Sequence, residues 1–143
     1  MAYLWLVLGL LSAFTAALVA IFGKLGLQNL DSTTATAIRA VVMTVFLVLV
    51  VVLQGKLSNV SEILASKKAM LYIVLSGVAG ALSWLFYFWA LKVGKASQIV
   101  PIDRLSVVFA LVLAAIFLGE ALTWKTGVGA VLIVAGAIFV ALA

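Results

Sequence analysis

Residues 1–23 and 69–91 contain no charged side chain. Stretches of that length with nothing to offer water cannot form the outer layer of a soluble domain. About 20 mainly apolar residues are what a helix needs to cross the hydrocarbon core. Three further stretches share the character: residues 32–55 with Arg39 as their one charge, residues 96–119 with Asp103 and Arg104, and residues 126–143 with none. Helices are therefore expected at about 2–23, 32–54, 69–91, 97–118 and 125–142. This makes residues 1–143 one all-α integral membrane domain of five transmembrane helices. Residues 1–23 lack a basic leader and are too long for a signal-peptide core, so they are expected to be retained as a span.

Composition narrows the chemistry. Hydrophobic residues make up 68% of the chain and charged residues 9%, too few charges to cover a water-facing surface. The absence of cysteine removes disulfides, thiolate metal sites and cysteine nucleophiles. The absence of histidine removes the commonest metal ligand and the usual switch near neutral pH. There is no Ser-His-Asp set, P-loop or pair of carboxylates at one level. No enzyme activity, cofactor or metal is expected. Most lysines fall in the short gaps between apolar runs, so the net charge of +5 points to lipid headgroups and not to nucleic acid.

The gaps are short enough to make consecutive helices antiparallel, an up-down bundle. Residues 24–31 form a polar turn in which Asp31 and Ser32 can cap the second helix. Val60, Ile63 and Leu64 suggest a short interfacial helix in the longest gap, residues 56–68. Gly94 is a natural helix stop. With five spans the termini lie on opposite sides. The N-terminal side then holds Lys56, Lys67, Lys68 and Lys125; the other holds Lys24, Lys92 and Lys95, with Arg39 and Arg104 buried nearer to it. Orientation is set by an imbalance of such charges, and this chain has almost none.

An ionisable residue within a span costs roughly 2.5–3.5 kcal/mol on insertion scales and needs a reason to be there. Arg39 follows Ser32, and Asp103 and Arg104 follow Ser97, by about 10 Å of helix. All three thus sit at one level. Neighbours on a helix point about 100° apart, so the economical arrangement pairs Asp103 with Arg39. Arg104 is then left to water, a lipid phosphate or an anionic substrate. The Asp103 face continues through Ser106, Val107, Ala110 and Ala114, small enough for a close helix or a cavity. Pro101 loosens the helix just before it. In the third helix, Gly80 and Ser83 allow close contact, while Trp84 and Tyr87 are placed to wall a route. Gly9 and Ala13 in the first helix, and Gly129 and Gly136 in the last, are expected to serve helix packing. Glu120 places a favourable charge near the start of the fifth helix.

The stretches FGKLGLQNLDSTTATAIRAVV, SWLFYFWALKVGKASQIVPIDRLSVV and FLGEALTWKTGVGAVLIVAGAIFV resemble the EamA-type repeat of the drug/metabolite transporter superfamily. The likeness covers essentially the whole chain and is nearest to the short five-helix bacterial and archaeal members. By matching position it carries over Lys24, Arg39, Trp84, Tyr87, Pro101, Asp103, Arg104 and Glu120. Larger relatives hold two such repeats in opposite orientation, so the resemblance implies that a single repeat needs an inverted second copy to build a pathway. The four-helix multidrug relatives place an essential acid in the first helix, and residues 1–23 have none.

The resulting expectation is a transporter subunit in the plasma or inner membrane. It moves a small metabolite, amino-acid-like or an organic ion, by alternating access as an antiparallel homodimer in the lipid bilayer. The substrate route is expected at Arg39, Trp84, Tyr87, Asp103, Arg104 and Ser106, with Lys24, Pro101 and Glu120 as structural motif residues. The rival expectation is a non-transporting scaffold or accessory subunit. Dual orientation has a direct test. A reporter fused to the C-terminus should be found on both sides of the membrane, and two or three lysines added to one side's loops should lock it. A reporter confined to one side in the unaltered chain would rule dual orientation out.

Overall fold

The computed structural model describes residues 3–143. Seven helices form among them: α1 Leu4–Gly26, α2 Ser32–Leu53, α3 Ser58–Ala65, α4 Lys67–Val93, α5 Ala96–Asp103, α6 Ser106–Leu118 and α7 Trp124–Leu142. No strand occurs among the described residues. Five stretches are long and apolar enough to cross a membrane: Leu4–Gly26, Ser32–Leu53, Lys67–Val93, Ala96–Leu118 and Trp124–Leu142. They match the five expected spans to within a few residues, and α3 is the short helix expected between the second and third. The fourth span runs over Ala96–Leu118 as expected, and within it the helix is interrupted at Arg104 and Leu105 into α5 and α6.

The helix ends follow from their residues. Asp31 caps α2 by accepting a 2.7 Å hydrogen bond from the Thr34 amide. Thr123 caps α7 by accepting from the Thr126 amide at 3.2 Å. At the end of α6 the chain turns through Gly119 at φ 67°, a left-handed conformation that a side chain would strain.

The chain divides into two compact units. In the unit Gly26–Lys92, α2 and α4 are tied where α2 begins and α4 nears its end. The Trp89 indole N–H donates to the Thr33 hydroxyl at 3.1 Å, and Leu27, Ser32, Phe88 and Leu91 are buried. Further along, Val41–Leu49 of α2 and Leu71–Val78 of α4 are exposed. The unit formed by Met1–Leu25 and Val93–Ala143 packs α7 against α5 and, less extensively, against α6. Here Gln98 donates to the Ala141 carbonyl at 3.3 Å, and the Lys24 ammonium donates to the Gly94 carbonyl at 2.7 Å. Ala20 and Ala137 are buried.

Large apolar side chains stay exposed along every long helix, among them Phe14, Phe46, Phe86, Phe109 and Phe139. So much apolar surface is not stable in water, and it suits a chain whose solvent is lipid. The helices meet the demand of that solvent by pairing their backbone groups internally.

Two outcomes test these ties. Lys24→Met should leave the Gly94 carbonyl without its charged donor. A hydrogen bond to a charged group contributes about 1.5–3 kcal/mol, so the variant should unfold at measurably lower SDS fraction in a circular-dichroism titration, while Lys24→Arg should stay near the parent. The second concerns Asp31. The Thr34 amide, followed by the Thr34 hydroxyl, holds its carboxyl below the usual carboxylate range. A lowered folded-state value means the cap's contribution is present above about pH 4 and is lost as pH falls through the lowered value. Amide exchange at Thr34 in detergent, corrected for the intrinsic pH dependence, should show protection falling on acidification, and Asp31→Asn should remove that pH dependence.

Candidate functional site

The α2 residues Thr33, Thr36, Ala37, Ala40, Met43, Thr44 and Leu47 recur at three and four positions, so they share one helical face. The α4 residues Gly77, Gly80, Ala81, Trp84 and Leu85 do the same. Facing each other, these stripes enclose a groove of about 650 Å³ within the Gly26–Lys92 unit. The α4 side is shallow because Gly77 and Gly80 have no side chain, and a Cβ added at either would meet nothing within 4 Å.

Among the described residues Arg39 is the only charged one lining the groove. It is half-buried, with its guanidinium carbon 3.6 Å from the centre of the Trp84 ring and 5.0 Å from that of Phe88. Trp84 and Phe88, one helical turn apart, stack at 5.6 Å and 24°. Tyr87 makes T-shaped contacts with both rings, at 5.8 Å from Trp84 and 5.7 Å from Phe88. The cluster is a platform of ring faces under a cation. Such contacts stabilise by about 0.5–1 kcal/mol where exposed and by about 2 kcal/mol or more where desolvated. Trp84 was expected as a route wall; its role as a seat for Arg39, and the whole contribution of Phe88, were not. Spacing could have shown the latter, since Phe88 is the i+4 neighbour of Trp84 on the helix carrying it.

Asp103, Arg104 and Ser106 lie at the break in the fourth span. Pro101 has no N–H to give the Ser97 carbonyl, and its ring crowds that group. The backbone then tightens instead of unwinding. The Arg104 amide donates to the Pro101 carbonyl at 3.1 Å and Leu105 to Ile102 at 3.0 Å. Val107 donates to Arg104 at 3.1 Å and Val108 to Leu105 at 2.9 Å. These i to i−3 bonds, beside an i to i−4 bond from Arg104 to Val100 at 3.3 Å, make a tightened, 3₁₀-like link between α5 and α6. Asp103, the last residue of α5, is half-buried; Arg104 and Ser106 are exposed. Arg104 caps the end of α5, the favourable place for a cation.

The remaining expected residues are placed as follows. Lys24 is the donor to Gly94. Glu120 lies in the link before Thr123, and its amide donates to the Ala114 carbonyl at 3.4 Å. Gly9, Ala13 and Gly136 are exposed, while Gly80 and Gly129 are half-exposed. A Cβ at any of these four glycines would meet nothing within 4 Å, so their small faces remain open. No group of three or more His, Cys, Asp and Glu side chains able to hold a metal occurs among the described residues.

The EamA-like transporter family matches residues 3–142 of the chain. An "Uncharacterized transporter in cobO 3'region" of Sinorhizobium sp is 40% identical over 137 residues, covering 96% of each chain. An uncharacterized protein of Methanocaldococcus jannaschii is 31% identical over 102 residues, which is 71% of this chain and 73% of its own. No solved structure matches at a significant level. With a family match over nearly its whole length and five apolar helices to carry it, the chain belongs to the EamA-like transporter family and is a multi-pass membrane transporter.

Proposed function

We propose that the chain is one subunit of a homodimeric carrier in the cell membrane, its two copies antiparallel, moving a small metabolite by alternating access. The observation that carries this reading is the broken fourth span. Discontinuous helices are a recurrent way to build a transport site, and here the change in backbone bonding brings two charged residues into a span. The interruption falls at Asp103–Arg104–Leu105–Ser106, and the Asp103 carboxylate has no hydrogen-bond partner within its own unit among the described residues. The near-equal basic charge of the two sides supports dual orientation. The open small faces at Gly9, Ala13, Gly129 and Gly136 suit a second copy.

In this reading Arg39, Trp84 and Tyr87 line the route from the α2–α4 groove. Asp103 and Arg104 supply opposite charges at the 3₁₀-like link, and Ser106 begins the wetted face of α6. Asp103 offers a carboxylate to a cationic partner, and Arg104 meets incoming substrate or headgroup. The four-residue stretch beyond Pro101 is the element that yields.

The chain contains no cysteine, so single-cysteine probes have no background. In proteoliposomes with saturable flux, Ser106→Cys should react with a membrane-impermeant thiol reagent, and a transported substrate should slow the reaction severalfold. Val108→Cys, at a half-buried position, should react more slowly. An inert Ser106→Cys in a protein that transports would place the route elsewhere and leave the Pro101 break as a packing device.

A further inference from the structure

We propose that the α2–α4 groove binds an organic monocarboxylate: an anionic head at Arg39, an apolar body along the glycine floor of α4, and no ammonium group. This deepens the carrier reading by naming the substrate class of one wall of its route, and it rests on that reading for its physiological use.

The head is specified by what Arg39 lacks. Ring faces accept the charge of a guanidinium but take none of its five N–H donors. Within Gly26–Lys92 the Arg39 guanidinium lies over two rings, Trp84 and Phe88. Among the described residues the groove lining contains no Asp or Glu, so within its own unit the cation has its hydrogen-bonding edge uncommitted. A planar fork of donors matches a carboxylate in two parallel bonds. The rings also restrain the guanidinium, so less freedom is lost when that pair forms.

The hydroxyls refine the choice. Thr36 donates to the Ser32 carbonyl at 2.7 Å and Thr44 to the Ala40 carbonyl at 2.9 Å. Their protons are spent. Thr33 accepts from Trp89, which leaves its own proton available. The donors that remain are Arg39, the Trp84 indole N–H and, about one and two-thirds turns from Arg39, Thr33. An amino acid would bring an ammonium group that needs an acidic partner, and the lining provides none.

The body is specified by length and shape. From Arg39 to Leu47 the groove continues for about 12 Å of helix past Met43, Leu47 and the open backbone of Gly77 and Gly80. A volume of about 650 Å³ falls in the range of small-molecule sites, about 300–1,000 Å³. One aromatic ring or a short alkyl chain on a carboxylate fits that outline. Anionic lipid shares the head chemistry, and the test separates the two.

The probe is radiolabelled 3-phenylpropionate, binding to the full chain in phosphatidylcholine nanodiscs, with empty discs subtracted for partition. Binding should saturate. Unlabelled 3-phenylpropionate should compete; its amide and phenylalanine should be weaker by about 10- to 100-fold, the loss expected for a charge-assisted pair. Arg39→Gln should lose binding by a similar factor. Because that variant removes a cation from its platform and can misfold, Gly77→Leu is the second probe. It fills the groove while replacing glycine with a better helix former, and it should abolish binding with the helix content intact. Equal competition by the amide, or undiminished binding to a folded Gly77→Leu, would overturn the proposal. So would loss of the site when phosphatidylglycerol replaces phosphatidylcholine at matched partition, which would give the groove to lipid. Binding without flux of the probe would refute the carrier reading for this ligand and leave the site standing. Flux of another substrate that Gly77→Leu leaves unchanged would sustain the carrier and remove the groove from its route.

Discussion

Hydrocarbon offers no hydrogen-bond partner, so each backbone amide and carbonyl within it must find one in the protein. Nearly everything in this chain follows from that demand. It makes the long apolar runs helical whatever their local propensity, including the β-branched run Val50–Val52 that would favour a strand in water. It also makes each departure from helix informative. Gly119 turns where α6 has ended. The link at Arg104 and Leu105 lies inside a span, and there the backbone switches to i−3 bonds instead of leaving donors bare.

The spans were legible because their signal is length and the absence of charge, which neighbours cannot hide. Asp31 as a cap and Gly94 as a stop were legible for a similar reason, since both act within a turn of their own position. The division of the fourth span was only half legible. Pro101 marks the weak point, but its missing donor acts on the preceding turn, whereas the helix changes three residues later, where the i−3 bonds accumulate. The seat of Arg39 was not legible. The sequence shows opposite charges at one level and suggests an ion pair; it does not show that two stacked rings at Trp84 and Phe88 lie on the face of α4 turned towards α2.

That seat bears on how the membrane tolerates the cation. A guanidinium is weakly hydrated and planar, and it stacks on aromatic faces where an ammonium would hold its water. The rings lower the cost of placing charge at depth without neutralising it. A carboxylate partner would neutralise it. The two devices differ in what remains for a third group: the first leaves a field and a set of donors, the second leaves little. Arg39 is therefore kept charged, oriented and chemically unsatisfied among the groups of its own unit.

The hydroxyls of Thr36 and Thr44 each bond back to the carbonyl one turn earlier, and both lie on the groove face of α2. Such back-bonding adds a second claim on a carbonyl already used by the helix and tends to bend the axis. Two of these bonds, two turns apart on the same face, favour a bend in α2 beside the groove. Any such bend would add to the spacing that the small residues of α4 give the groove. A methyl in place of either hydroxyl would keep the bulk and remove that tendency.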